Sequence, residues 1–106
     1  MKVLILGAGE VGFHLAKRLS QETQDVILIE SDSDRAEFVS QHLDVLTIVG
    51  NGASLPVLEE AGIADAGMLL AVTSKDEVNL VASMTAKGLG VQHAVARISN
   101  PEYYGE

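Results

Sequence analysis

Lys2-Val3-Leu4-Ile5-Leu6-Gly7-Ala8-Gly9-Glu10-Val11-Gly12 opens the chain and decides its fold. An apolar run of strand length enters glycines spaced Gly-x-Gly-x-x-Gly, and Val11, Leu15 and Leu19 then recur at i, i+4 and i+8, as one stripe of a helix does. A strand that turns through glycines into a helix is the first half of a βαβ unit. Each glycine has a mechanical task. Gly7 permits the tight turn, Gly9 lets the backbone approach a pyrophosphate, and Gly12 lets the helix pack closely on the strand. The helix start then turns its unpaired N–H groups and the positive end of its dipole toward that anion.

The same alternation continues downstream. Asp25 to Ile29, Val45 to Val49, Met68 to Val72 and Ala94 to Ile98 are short and nearly all apolar, the pattern of strands buried on both faces. Between them, Ala36, Val39 and Leu43 form a second helical stripe. A third helix is expected to open at Ser54, carry Pro56 in its first turn, repeat Leu55, Leu58 and Ala61, and stop at Gly62. For the fourth, Ser74-Lys75-Asp76-Glu77 reads as a capping box, followed by an apolar stripe of Val78, Val81 and Met84 and a stop at Gly88. The expectation is one α/β domain over residues 1–106: a doubly wound, Rossmann-like parallel sheet of about five strands in the order 3-2-1-4-5. Only Ser99 to Glu106 follow the fifth strand, so the sheet reads as truncated there and the chain as an N-terminal fragment of a longer protein.

Composition narrows the function. With 106 residues, 47% apolar and 21% charged, the chain can bury one core but has no room for a dehydrogenase's substrate domain. Seven Lys and Arg against fifteen Asp and Glu leave a net charge of -8, which repels nucleic-acid phosphates and argues against a nucleic-acid partner. There is no cysteine, so thiol catalysis, disulfides and Cys-type zinc sites are excluded. No apolar run approaches the roughly 18–20 residues that span a bilayer. Gly7, Gly9 and Glu10 interrupt the apolar start before it could form a signal-peptide core, so it reads as a first strand made in the cytoplasm.

Glu30 closes the second strand 18 residues after Gly12, where a carboxylate binds ribose hydroxyls. Such a carboxylate repels a 2′-phosphate, and neighbouring Ser31 brings no positive charge, so NAD is preferred over NADP. Arg35 is the one possible exception to that preference, but within Ser33-Asp34-Arg35-Ala36-Glu37 it reads more readily as part of a solvated helix start, as do Asp32 and Asp34. Asn51 and Gly52, after the third strand, either approach an adenine or form a plain turn. Thr73 and Ser74 follow the fourth strand and face phosphate or ribose, with Ser74 alternatively a helix cap. Arg97 either snorkels to the sheet edge or reaches a phosphate or a neighbouring subunit. His14, His42 and His93 lack metal-ligand spacing, and adjacent Asp76 and Glu77 point in different directions on a helix, so no catalytic or metal constellation is read. The enzyme-class alternative is the coenzyme half of an NAD-dependent dehydrogenase. A structural assembly domain with a vestigial site is a third reading.

The opening glycine block, Leu28-Ile29-Glu30, Gly50-Asn51-Gly52-Ala53, Ala71 to Asn79 and Ala96 to Tyr103 together resemble the regulatory domains of potassium transport and channel systems, the RCK or KTN family. The resemblance covers essentially the whole chain and is closest to the domains of Trk-type potassium uptake systems. Its most specific marks are the Thr-x-x-Asp-Glu-x-Asn block at Thr73 to Asn79 and the Ala96-Arg97-Ile98 strand. The resemblance implies a regulator and not an enzyme. It implies a cytoplasmic domain at the inner face of the membrane that binds NAD+ or NADH, or ATP and ADP at the same site. A membrane-embedded potassium transporter subunit would be the partner, and dimers would assemble into tetramers or rings. In it Gly7, Ala8, Gly9, Glu10 and Val11 would hold phosphate, Glu30 the ribose, and Asn51 and Gly52 the adenosine side. Thr73 would take the far phosphate or nicotinamide side, and Arg97 the phosphates and a subunit contact.

Overall fold

Four consecutive apolar residues, Val3 to Leu6, need cover on both faces of a strand and a neighbour on both edges. The computed structural model, which describes residues 1–22 and 24–104, supplies both. Strand β1 (Lys2–Leu6) lies at the centre of a five-stranded sheet ordered β3-β2-β1-β4-β5, with β2 Asp25–Glu30, β3 Leu46–Val49, β4 Met68–Ala71 and β5 His93–Ala96. Every pairing is parallel, with Leu6 opposite Ile29 on one side and Ala71 on the other. All five strands therefore end at one edge, and the order reverses beside β1, the point where open α/β sheets hold their ligands.

Helices α1 (Glu10–Ser20) and α2 (Ser33–His42) cover one face, where Ala16 and Val39 pack with Val3, Ile5, Val26 and Leu28. Helices α3 (Leu55–Glu60) and α4 (Asp76–Gly88) cover the other, where Leu58, Ala82 and Ala86 pack with Leu4, Leu6, Ile27 and Ile29. Full burial of each such leucine or isoleucine contributes about 1.5–3 kcal/mol. Short 3-10 turns at Ile63–Asp65 and Pro101–Tyr104 complete the described chain.

Three expectations need correction. The outer strands are not buried on both faces: Leu46 in β3 is 61% exposed and alternate residues of β5 are open. Their bounds shift by one or two residues, although the Arg97 N–H still donates to the Ala71 carbonyl and extends the ladder beyond β5. The stripe of α4 is also rotated from the one read, and that of α1 holds only in part, with Leu15 and Leu19 packed against the core. Val11 is exposed while Gly12 and Ala16 face the sheet. Val81 is 46% and Met84 71% exposed, while Asp76, Asn79, Ala82 and Ala86 are buried. A helix resting directly on the sheet approaches closely only where its side chains are small, so close packing outweighs the larger apolar area of the bulky stripe. Finally, no capping box forms at α4. Lys75, not Ser74, occupies the N-cap position, and the Glu77 carboxylate accepts instead from the Tyr103 hydroxyl.

Candidate functional site

The glycine loop is built from contacts that admit no side chain at two positions and leave a third open. Gly7 has φ +107°, a conformation costly for other residues, and a Cβ there would stand 3.0 Å from Thr73 backbone. At Gly12 a Cβ would lie 1.8 Å from the Gly7 carbonyl oxygen. Gly9 differs, because the nearest heavy atom to its missing Cβ is Arg35 Nη1 at 3.7 Å. Its bare face opens on the cleft in front of α1, whose first-turn N–H groups have no partner within the helix.

Glu30 fixes this loop from below. Its buried carboxylate accepts from the Ala8 N–H at 2.6 Å through Oε1, and through Oε2 from the Asp32 N–H at 2.8 Å and the Ser31 hydroxyl at 3.5 Å. Two carboxylate oxygens offer about four lone-pair directions, which leaves one for a further donor. The residue read as a ribose clamp is thus also the anchor joining the glycine loop to the start of α2.

Across β1, Asn79 does the corresponding work. It is fully buried on α4, where Oδ1 accepts from the Thr73 N–H at 3.0 Å and the Thr73 hydroxyl at 2.7 Å. Its Nδ2 donates to the Thr73 carbonyl at 3.0 Å and the Arg97 carbonyl at 2.9 Å. One amide therefore ties the end of β4 to the end of β5. Beside it the buried Asp76 carboxylate accepts from the N–H groups of Ser99 at 2.9 Å and Asn100 at 2.7 Å, strapping the following chain across the start of α4. The Tyr103 hydroxyl bond holds the Glu77 carboxyl below its usual range, and the same bond raises the Tyr103 phenol above its own.

Between these two walls lies a cleft of about 310 Å3. Gly7, Gly9, Glu10, Val11, Glu30, Asn51, Gly52, Thr73, Ser74 and Arg97, all read from the sequence, line it together. Ala8 stands to one side, its N–H committed to Glu30 and its side chain at a groove between α1 and α2. Gly12 is buried beneath the loop and serves packing. Asn51 also closes its own turn by accepting from the Ala53 N–H at 2.9 Å, and a Cβ at Gly52 would fall 2.4 Å from Leu6 Cδ2, so both have structural work as well. Sequence reading missed Lys75, Ser31 and Val78, which line the cleft, and Asn79, which organises it, and set aside Arg35, which lines it too. For Ser31, Arg35 and Lys75 the signal was position, since each falls within five residues of a strand end at the edge where ligands bind. Three of the chain's seven basic side chains, Arg35, Lys75 and Arg97, converge here, although the net charge is -8.

The TrkA-N domain model matches residues 3–105. This chain belongs to the TrkA-N domain family. It is 50% identical over 103 residues, 97% of its length, to a Trk system potassium uptake protein TrkA homolog of Archaeoglobus fulgidus, and it spans 23% of that protein. It is 45% identical over 89 residues to the Trk system potassium uptake protein TrkA of Halomonas elongata, covering 84% of this chain and 20% of that one. The chain thus spans about a quarter of the length of these relatives. Among solved structures it is similar to the NAD(P)-binding domain of an exopolyphosphatase-related protein from Archaeoglobus fulgidus (TM-score 0.82, 16% identity, 97% of this chain and 77% of that one). It is also similar to the Kef C-terminal domain of Shewanella denitrificans in its AMP-bound form (TM-score 0.73, 21% identity, 90% of this chain and 56% of that one). At these identities the likeness establishes the fold, a Rossmann-like NAD(P)-binding architecture. No helix of this TrkA-N domain, among the described residues, is long and apolar enough to cross a membrane.

Proposed function

We propose that this TrkA-N domain is the adenine-nucleotide sensor of a Trk-type potassium uptake system and binds NAD+ or NADH, with ATP and ADP as competitors for the same cleft. The observation that carries the reading is the convergence of an open Gly9, a buried Glu30, and Thr73 and Arg97 around one cleft where the strand order reverses. The glycine loop and the start of α1 bind the phosphates, Glu30 the ribose, Asn51 and Gly52 the adenosine side, and Thr73, Ser74 and Arg97 the far end. The bound nucleotide acts as a signal and is not turned over.

Relatives named as potassium uptake proteins support the system, and an AMP-bound structural neighbour supports the adenosine part. The partner is a membrane-embedded potassium transporter subunit, and the domain works at the cytoplasmic face as part of a homo-oligomer within a longer protein. Regulation requires two arrangements of that assembly whose clefts bind nucleotide unequally, because equal binding, however tight, shifts no population.

Potassium flux through the full-length assembly tests this reading. Glu30→Gln, with its folding checked by thermal melting, is expected to raise the NAD+ or NADH concentration for half-maximal effect by about tenfold or more, since one charge-assisted bond contributes about 1.5–3 kcal/mol. Unchanged nucleotide dependence in a folded variant contradicts the assignment.

A further inference from the structure

Arg35 reaches over the glycine loop, where its place in the sequence favours a solvated helix start. It leaves the first turn of α2, whose N-cap Asp32 accepts from the N–H groups of Asp34 at 2.9 Å and Arg35 at 3.4 Å, so the base of the side chain is fixed. Its Nη1 is the nearest heavy atom to the open face of Gly9, and it lines both the cleft and the groove between α1 and α2. No carboxylate among the described residues pairs with it. A guanidinium supplies a planar fork of donors that matches two phosphate oxygens, and it does so here above the stretch of backbone left bare of side chains.

We propose that Arg35 clamps the phosphate chain across Gly9 and makes the cleft selective for ligands with two or more linked phosphates over adenosine monophosphate. The proposal rests on the reading of the cleft as a nucleotide site. It separates two tasks within that site: Glu30 addresses the ribose that all the candidates share, and Arg35 addresses the phosphate count that distinguishes them. In a chain of net charge -8 a single placed guanidinium also has a disproportionate local effect.

Calorimetric titration of the chain and of Arg35→Gln with AMP, ADP, NAD+ and NADP+ tests the clamp. Arg35 is exposed, so the variant is expected to melt with the wild type. ADP and NAD+ should weaken by about tenfold or more while AMP changes by less than about threefold, collapsing the ADP-to-AMP preference. Arg35→Lys, which keeps the charge and loses the fork, should recover part of it. Equal weakening of AMP and ADP, no weakening of either, or a loss confined to NADP+ overturns the proposal. A wild-type chain that binds none of the four overturns the nucleotide reading of the cleft, and the clamp with it.

Discussion

Gly12→Ala is expected to lower the melting temperature by about 12 °C or more, the equivalent of about 3 kcal/mol in a domain of this size. The added Cβ would fall 1.8 Å from the Gly7 carbonyl oxygen and 2.8 Å from its carbon. Neither atom can retreat, because Gly7 donates its own N–H to the Ile29 carbonyl and lies against Thr73 backbone. The helix must lift from the strand, and the packing of Ala16 on the sheet goes with it. Gly9→Ala is the matched control. Its Cβ meets nothing closer than a flexible arginine tip at 3.7 Å, so stability should move by about 1 kcal/mol or less. Thermal melts of the two variants side by side check the contrast; equal losses would mean that the loop's glycines are not differentiated as described.

The second large effect belongs to Asn79. Asn79→Leu keeps the branched shape at some cost in bulk and removes the partner of the Thr73 N–H and of the Thr73 and Arg97 carbonyls in a fully buried position. Each orphaned group costs about 1–3 kcal/mol, and a loss of about 3–5 kcal/mol in denaturant unfolding is expected. Asn79→Asp adds a signature that packing alone does not produce. Its carboxylate would face two carbonyl oxygens, which raises its folded pKa above the unfolded value, so the variant's deficit against wild type should shrink as pH falls through that raised pKa. A deficit independent of pH would contradict the bonding described for the amide.

These two residues show how far the sequence could be read. Gly12 was legible because its neighbours in sequence, the strand and the glycine spacing, define the contact that excludes a side chain. The α1 and α2 connections and β1, β2 and β4 followed from local apolar pattern for the same reason. Asn79 was not legible in its role: hydropathy scores it as a surface residue, and its partners, Thr73 and Arg97, meet only after β5 pairs with β4. The rotated face of α4 has a related cause. Val78, Val81 and Met84 fit a helical period as well as Asn79, Ala82 and Ala86 do, and only the closeness of helix to sheet chooses the small set. Arg35 was set aside because a charged residue in a helix's first turn looks the same in sequence whether it meets water or leans over a loop. Most of the cleft lining was readable, since parallel strands bring their carboxyl ends to one edge whatever lies between them.

Residue-by-residue amide chemical-shift mapping during titration with NAD+ tests whether this cleft binds an adenine nucleotide. Saturable shifts are expected to concentrate at Gly7, Gly9, Glu10, Val11, Ser31, Asn51, Thr73 and Arg97, with the α3 amides near Leu58 unmoved. Saturable shifts centred away from these residues, or none at millimolar NAD+, NADH, ATP or ADP, would contradict binding in this cleft.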